Sequence, residues 1–244
     1  YLKFSNNENK LMISTGLRQK PYNIIKFHYR LKNHSFFLNK IGMNFLKVLP
    51  RMTRDFEIIF DNNIDLVNAK NILENIIEFE DIIQIFSKKI FTTLDNGNKL
   101  LFCGNGGSAA ESQHMAAEYC ATLNHHNPRK GFKAMALSVD TSFITAWSND
   151  FGFDGIFARQ IETLGEENDL LICYSTSGSS KNILEAALEA KRKKMTVLSF
   201  TGNSKNNKLA EISSSSFLAP SSKTAFIQEL HTIVGHEVCL AVEQ

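Results

Sequence analysis

Residues 99–118, KLLFCGNGGSAAESQHMAAE, constrain the fold most strongly, because they join a buried strand to a helix through a glycine-rich turn. The apolar run Leu100–Cys103 is too short for a helix and suits a strand buried on both faces of a parallel sheet. Gly104-Asn105-Gly106-Gly107-Ser108 then lets the backbone turn sharply at a helix start, whose free N–H groups can bind an anion. His114 and Glu118 share one face of that helix at i, i+4 spacing. The segment therefore predicts a ligand site as well as a fold element.

The glycine-rich turn is not specific by itself, because many α/β proteins need one where a strand meets a helix. Its spacing differs from G-x-G-x-x-G, and the Lys-Ser/Thr of an NTP-binding loop does not follow it. The turn therefore disfavours dinucleotide and nucleoside triphosphate ligands, and we expect no nucleotide cofactor. A His/Glu pair one helical turn apart is, taken alone, at least as typical of an ordinary protein surface as of a site.

A second strand and turn, at residues 169–180, strengthen the prediction of a site. The apolar run DLLICYS, 169–175, predicts a buried strand, and Ser175-Thr176-Ser177-Gly178-Ser179-Ser180 follows it directly. These hydroxyl groups and the N–H groups of the next helix start form a nest that suits one phosphate monoester. A serine-rich linker is the alternative, but linkers rarely connect a buried strand so tightly to a helix.

The rest of the chain alternates between strand and helix patterns. From Asp55 the apolar spacing predicts two helices before the first strand. Strands are then predicted at 100–103, 134–139, 169–175, 195–201 and 214–219, and helices at 108–123, 141–147, 181–194 and 224–243. This alternation predicts an α/β fold: a doubly wound, parallel five-stranded sheet flanked by helices, with an N-terminal helical segment. Ligands bind at the carboxyl ends of such strands, where both turns lie.

Charge is distributed unevenly along the chain. Residues 1–54 contain eleven lysines and arginines and one acidic residue, a net charge of +10, although the whole chain of 244 residues carries only +2. Basic amphipathic segments can bind membranes or nucleic acids. We favour the alternative that residues 1–51 are an extension, or translated upstream sequence, without a role in the chemistry. The predicted domains are this extension, 1–51, and a second domain, 52–244, for which we expect no nucleic-acid partner.

The four cysteines, at 103, 120, 173 and 239, have neither zinc-knuckle nor redox-motif spacing, and they lie mostly in apolar runs. They are typical of reduced core thiols in a cytoplasmic protein. The sequence lacks an apolar stretch of the roughly 18–20 residues that a membrane span needs. It also lacks an N-terminal apolar segment with a small-residue cleavage site. We therefore expect a cytoplasmic protein that does not bind a membrane.

Together these motifs resemble the sugar isomerase (SIS) domain and, within it, the bacterial phosphoheptose isomerases. The resemblance spans about residues 52–244 and rests on GNGGS at 104–108, QH at 113–114, AE at 117–118, NDFGF at 149–153, STSG at 175–178, and QELH at 228–231 with His236. It implies conversion of D-sedoheptulose 7-phosphate to D-glycero-D-manno-heptose 7-phosphate, a step towards the heptose of lipopolysaccharide or other surface glycans. It also implies a homotetramer with a sugar phosphate as substrate and one zinc ion in each subunit.

The resemblance further implies roles for individual residues. The phosphate is expected at Ser175, Thr176, Ser177 and Ser180. The sugar is expected against Asn105, Gly106, Gly107, Glu118, Asn149, Asp150 and Gln228. Glu118 and His236 match the proton-transfer pair of the family. The ligands of zinc, where it is bound, match His114, Glu118, Gln228 and His236.

The implied reaction agrees with the chemistry of these residues. An aldose–ketose isomerisation moves a proton between adjacent carbons through an enediol(ate), and it needs a base and an acid. A carboxylate and an imidazole from two helices meet that need, and a zinc ion would polarise the carbonyl group. Since a carboxylate bound to zinc is a poorer base, Glu118 as base and Glu118 as metal ligand remain alternatives.

Two features depart from the family pattern: Glu111-Ser112 replaces the more usual pair before Gln-His, and residues 1–51 have no counterpart. The alternative function is a non-catalytic SIS protein that binds the replication initiator or senses a sugar phosphate. Initiator-binding relatives lack the glutamate and the final histidine, whereas this chain has Glu118 and His236. A sugar-phosphate sensor would need a DNA-binding module, and residues 1–54 lack a helix-turn-helix pattern.

Overall fold

The computed structural model of the chain describes residues 2–7, 10–15, 35, 39, 44–50, 56–59, 61 and 63–243. Its contacts divide the chain into two units, Tyr1–Glu78 and Phe79–Gln244. The predicted domain start, Met52, lies outside the described residues. The division into 1–51 and 52–244 therefore stays a prediction.

The first unit contains a four-stranded antiparallel sheet that the apolar periodicity does not predict. Its strands are β1 (Leu2–Asn7), β2 (Lys10–Thr15), β3 (Lys47–Pro50) and β4 (Phe56–Ile59), in the order β1-β2-β4-β3. The helical pattern predicted from Asp55 is wrong at its start, because β4 pairs with both β2 and β3. Aromatic and β-branched residues fit a strand once such pairing partners exist.

One helix, α1 (Asn63–Asp95), precedes the central sheet, and the prediction of two helices is wrong. The segment contains neither glycine nor proline, so nothing in its sequence interrupts the helix. The helix ends at a turn in which Gly97 adopts a positive φ of 79°. In the second unit, Phe86 and Ile90 of this helix are buried in the core.

The second unit is built on a five-stranded sheet. Its strands are β5 (Leu100–Gly104), β6 (Ala134–Ala136), β7 (Leu170–Ser175), β8 (Thr196–Gly202) and β9 (Ser215–Ala219). They lie in the order β6-β5-β7-β8-β9, and every pair is parallel. All residues of β5 and β7 are buried, as their apolar sequences predict. The predicted doubly wound parallel sheet is confirmed.

Helices cover both faces of this sheet. They are α2 (Gly107–Cys120), α3 (Thr141–Phe151), α4 (Ile156–Leu164), α5 (Lys181–Arg192), α6 (Lys208–Ile212) and α7 (Thr224–Val242). One core cluster joins the sheet to α1, α2 and α7. A second cluster joins the opposite face to α4, α5 and α6. Helices α4 and α6 were not predicted from the sequence, and α3 extends four residues beyond its predicted end at Trp147.

The strand order creates a crevice between β5 and β7. From β5 the chain passes to the sheet edge at β6, whereas from β7 it passes the other way, to β8 and β9. The helices that follow these two neighbouring strands, α2 and α5, pack on opposite faces of the sheet. Open α/β sheets bind ligands where the direction of winding reverses in this manner. Both predicted loops, 104–108 and 175–180, lie at that position.

The structure bears on two further predictions, the lack of a membrane span and the burial of the cysteines. Among the helices of the described residues, none is both long enough and apolar enough to cross a bilayer. Cys103, Cys173 and Cys239 are buried free thiols, as predicted. Cys120 is exposed, so the prediction of a core thiol is wrong there: it is the last residue of α2, and its Sγ donates to the Ala134 carbonyl at 2.9 Å.

Candidate active site

The packing of α2 against α7 brings three ionisable side chains together. The Nε2 atoms of His114 and His236 lie 2.7 Å apart, which is a hydrogen-bond distance. The Nδ1 atom of His114 lies 3.9 Å from a carboxylate oxygen of Glu118, one turn further along α2. One ligand atom from each of the three residues lies within 4.8 Å of the other two. Nitrogen, oxygen and nitrogen donors at this spacing can share a metal ion or a proton.

An open cleft of about 410 Å³ lies beside this cluster, between the first turns of α2 and α7. Gly107, His114 and Gln228 all line it. A Cβ atom at Gly107 would lie 2.5 Å from Gln228 Nε2, so glycine is needed for the amide to approach the turn closely. The cleft therefore connects the glycine-rich turn with the predicted metal ligands of both helices.

Glu111 and Thr232, which belong to none of the predicted site groups, also line this cleft. Thr232 Oγ1 donates a hydrogen bond of 2.7 Å to Glu111 Oε2. The other carboxylate oxygen, Oε1, is buried without a hydrogen-bond partner among the described residues. The i, i+3 and i+7 spacing of Glu111, His114 and Glu118 on α2 is the sequence signal that points to this side chain.

His231 closes the base of the cleft as a neutral side chain. It is 1% exposed, and its ring is packed among the aromatic rings of Tyr174, Phe200 and Phe217. Burial lowers the pKa of His231 from 6.5 to about 4, against a raising effect from its hydrogen bond with the Thr201 carbonyl. Nε2 is therefore the protonated nitrogen and donates to that carbonyl, 3.2 Å away. The bond attaches α7 to the carboxyl end of β8.

The 175–180 loop is closed by its own hydrogen bonds at the start of α5. Gly178 N–H donates to the Ser175 carbonyl, and Ser179 N–H donates to Ser177 Oγ. Ser180 is the residue that precedes α5, yet its hydroxyl does not cap this fully described helix. It lies 3.5 Å from Ser175 Oγ instead. Two hydroxyl groups therefore lie close together at a helix N-terminus, a position that favours negative charge.

Gly178 sets the course of this loop. Its φ is +63°, and a Cβ atom there would collide with Asn207 Oδ1. Asn207 cannot move aside easily, because it is buried and its Nδ2 donates to the Gly202 carbonyl at 2.9 Å. Its Oδ1 also accepts from Ala210 N–H, which caps the short helix α6. The loop is thus supported from the neighbouring strand.

Asn105 is bound to a residue that the sequence analysis does not identify. Its Nδ2 donates to Asn182 Oδ1, and Asn182 Nδ2 donates back to Asn105 Oδ1, each at 2.8 Å. Asn182 lies in the first turn of α5 and is 2% exposed. The two amides connect the loop after β5 to the helix after β7.

Asn149 and Asp150 form a separate group at the end of α3. Asn149 Nδ2 donates to Asp150 Oδ1 at 2.8 Å, and both residues are exposed. Phe143, Trp147 and Phe151 stack along the same helix, and Phe151 remains 71% exposed. Within the part of the chain that the structure describes, hydrogen bonds do not join this pair to the histidine cluster.

The predicted site residues thus fall into four groups. His114, Glu118 and His236 form the cluster, with Gln228 and Gly107 in the adjoining cleft. Asn105 and Gly106 lie in the turn after β5, and Ser175, Thr176, Ser177 and Ser180 in the loop after β7. Asn149 and Asp150 lie apart. The roles predicted for all of them remain predictions.

Comparison with known proteins identifies the family. The family model described as SIS domain matches residues 66–202, which is more than half of the chain. This chain belongs to the SIS domain family. The SIS chain is 46% identical over 151 residues to a phosphoheptose isomerase of Burkholderia pseudomallei, covering 62% of this chain and 75% of that protein. It is 44% identical over 155 residues to one of Helicobacter pylori, covering 64% of this chain and 79% of that protein.

Solved structures agree with this identification. A phosphoheptose isomerase from Neisseria gonorrhoeae has 34% sequence identity and a TM-score of 0.61, covering 74% of the SIS chain and 99% of that chain. One from Francisella tularensis has 31% identity and a TM-score of 0.60, covering 75% and 99% respectively. The predicted family and SIS fold are confirmed, and so is the prediction that the chain is an isomerase.

Proposed function

We propose that this SIS chain interconverts D-sedoheptulose 7-phosphate and D-glycero-D-manno-heptose 7-phosphate, and so supplies heptose for lipopolysaccharide or another surface glycan. The observation that carries the proposal is the cluster of His114, Glu118 and His236 where α2 packs against α7. The same chain is 44–46% identical to proteins named phosphoheptose isomerase. A base and an acid in one cluster are what a proton transfer between adjacent carbons needs.

Glu118 and His236 carry the proton transfers in this proposal. The carboxylate of Glu118 takes the proton from C1 of the ketose and returns it to C2, which forms and then consumes an enediol(ate). The imidazole of His236 moves the hydroxyl proton between O1 and O2, so the aldose keeps every atom of the ketose. His114 supports this role, because its hydrogen bond of 2.7 Å fixes the orientation of the His236 ring.

The substrate is held at both ends. The phosphate binds to Ser175, Thr176, Ser177 and Ser180 at the N-terminus of α5, which favours negative charge. Asn105, Gly106, Gly107 and Gln228 line the sugar from the turn and cleft that adjoin the cluster. Asn149 and Asp150 complete the sugar site from a neighbouring subunit of a homotetramer. Their exposure beside the uncovered rings of Phe151 (71%) and Phe153 (52%) supports an interface there.

As the alternative role of this cluster we propose one zinc ion per subunit, held by His114, His236, the amide oxygen of Gln228 and Glu118, which would then be a metal ligand rather than the base. The donor set fits, since ligand atoms of His114, Glu118 and His236 lie within 4.8 Å of one another. Zinc would supply Lewis-acid polarisation of the substrate carbonyl group. The proton between the two Nε2 atoms must leave that position before both nitrogens can act as ligands. No nucleotide cofactor is part of the proposal.

Residues 52–244 form the isomerase domain in this proposal, acting in the cytoplasm, and 1–51 are an extension. The family match that begins at residue 66 supports this division. The Neisseria structure also supports this division, because its match covers 74% of this chain and 99% of that chain.

The direct test is to incubate the purified chain with sedoheptulose 7-phosphate in D₂O and to follow the products by NMR. The proposal expects the aldose signal to appear, with deuterium at C2 as the enediol(ate) exchanges its proton with solvent. Glu118→Gln is the matched control, because it keeps the shape of the side chain without its basicity. A wild-type chain that leaves the ketose unchanged, with zinc present, contradicts the proposed function and favours a non-catalytic SIS protein.

A further inference from the structure

We infer that Asn182 is a positioning residue of this isomerase: it fixes the side chain of Asn105 and the register between the two loops of the site. The inference rests on the proposed function, because it concerns how the same site is held in shape. It starts from the two reciprocal hydrogen bonds of 2.8 Å between these side chains.

The pair spans the crevice where the winding of the sheet reverses. Gly104 and Tyr174 are register partners on neighbouring strands, and the two loops begin directly after them. The chain then diverges, since α2 and α5 belong to core clusters on opposite faces. Asn105 and Asn182 are 77 positions apart in sequence, and their side chains close the gap between the diverging loops.

The burial of Asn182 makes the pairing strongly directional. At 2% exposure its amide depends on Asn105 for both a donor and an acceptor. If either amide rotated by 180°, NH₂ would face NH₂ and oxygen would face oxygen. Leaving buried amide groups unpaired in this way is costly, so the two amides stay paired in one plane. Asn182 therefore fixes the position and the plane of the Asn105 amide beside the sugar site.

Asn105 retains some capacity to bind the substrate. An amide has two N–H donors and two oxygen lone pairs, and the pair with Asn182 uses one of each. One N–H and one lone pair remain for the sugar, in a direction that Asn182 sets. Because the phosphate loop leads into the same helix turn as Asn182, the pair also sets the distance between the phosphate and the reacting carbons.

Catalysis should be sensitive to this distance. An error of about 1 Å in the position of reacting groups can cost roughly 10²-fold in rate. Phosphate binding alone should not be sensitive, since the hydroxyls of Ser175 and Ser180 lie outside the amide pair. A positioning role therefore predicts a loss in kcat that is much larger than any loss in phosphate affinity.

The experiment compares Asn182→Ala with wild type for sedoheptulose 7-phosphate turnover and for competitive inhibition by inorganic phosphate. We expect kcat to fall by about 10- to 100-fold, while the inhibition constant of phosphate changes less than about threefold. Asn98→Ala is the matched control, because the Nδ2 of Asn98 also donates to a distant loop, at the Glu167 carbonyl. That hydrogen bond lies before β5 and β7, at the amino ends of the strands and away from the two site loops. Asn98→Ala should keep wild-type kcat.

A double-mutant cycle then separates positioning from general support. If Asn182 acts through Asn105, adding Asn182→Ala to an Asn105→Ala chain should change kcat by less than about twofold. If the alanine variant does not fold, Asn182→Asp decides the question, since it keeps an acceptor for Asn105 Nδ2 but has no N–H for Asn105 Oδ1. It should lower kcat in the same direction.

Each remaining outcome overturns the inference. A role through Asn105 is contradicted if kcat of the Asn182 variant stays within about twofold of wild type. It is also contradicted if Asn182→Ala lowers kcat equally in the wild-type chain and in the Asn105→Ala chain. A parallel loss of kcat and of phosphate inhibition points to collapse of the loop and also contradicts it. These results differ from a failure of the proposed function, in which the wild-type chain itself does not convert the ketose.

Discussion

The imidazole rings of His114 and His236 meet edge to face, with their Nε2 atoms 2.7 Å apart and their planes at 85°. A hydrogen bond between two imidazole nitrogens needs a proton on one and a lone pair on the other. If both histidines bind one metal ion through these Nε2 atoms, each Nε2 needs a free lone pair. The pair therefore marks a position where a proton and a zinc ion compete.

The first prediction concerns zinc binding to this pair. We expect a chelator-treated chain to bind zinc in a calorimetric titration and to regain the kcat that chelation removes. His114→Ala should weaken zinc binding by more than the roughly 10- to 100-fold typical of losing an outer-shell partner, because it removes a ligand. His126→Ala, on an exposed loop, is the control. Full turnover in the metal-free chain would show that zinc is not required.

The second prediction concerns Glu118 and His236 as a unit. Glu118→Gln and His236→Gln should each lower kcat by at least about 10²-fold, the effect expected of a positioned base or acid. The double variant should be little slower than the slower single variant, because groups that act in one proton-transfer path are strongly non-additive. Steady-state rates of the four chains test this. Independent losses that multiply would contradict a shared path.

The central sheet could be predicted from local sequence because its buried strands have simple signals. Residues 100–103 and 169–175 are continuous apolar runs followed by glycine or serine turns, and both form buried strands. Helix α4 also has a local signal that could have predicted it, because its apolar residues Ile156, Phe157 and Ile161 are all buried on one side. Its short length and the polar residues around it hide that pattern.

Contacts between distant segments could not be predicted in this way. Strand β2 pairs with β4 across more than 40 residues, and no local pattern specifies that register. The pairing of Asn105 with Asn182 has the same origin, since each amide alone is an ordinary polar residue near a turn. The sequence motifs predict which loops form the site, but they do not predict which side chains hold those loops together.

The third prediction concerns the chain before Met52. If 52–244 is the complete isomerase domain, a chain that begins at Met52 should keep its kcat and its proposed tetrameric mass. Light scattering and turnover of the full-length and shortened chains at equal concentration test this. A monomeric or inactive shortened chain would assign residues 1–51 to the functional fold, where a sheet such as β1-β2-β4-β3 has a structural role.

The fourth prediction concerns Gly178 in the phosphate loop. Gly178→Ala should raise KM and lower stability, because alanine at φ +63° is strained and its Cβ atom meets the buried Asn207. Gly97→Ala is a matched control, since Gly97 has φ +79° and open space around it. The control should show only the backbone cost of about 1–2 kcal/mol. Equal losses in both variants would exclude a contribution from Asn207.

The last prediction concerns the acid sensitivity of the fold at His231. Its pKa is lowered from 6.5 to about 4, chiefly by burial, so between these values the unfolded chain binds a proton that the folded chain does not. Stability should therefore be complete above about pH 6.5 and fall as the pH drops towards 4. The shift corresponds to about 3 kcal/mol in total, of which about 2 kcal/mol is lost between about pH 7.5 and pH 5.

His231→Gln isolates this contribution, because glutamine does not titrate yet has an N–H that can donate to the Thr201 carbonyl. Urea unfolding of both chains at about pH 7.5 and about pH 5 measures the difference. Wild type should lose about 2 kcal/mol more than the variant on this change of pH. The groups that titrate elsewhere are common to both chains and cancel in the comparison. Identical losses in the two chains would mean that His231 takes up a proton in the folded state as readily as in the unfolded one.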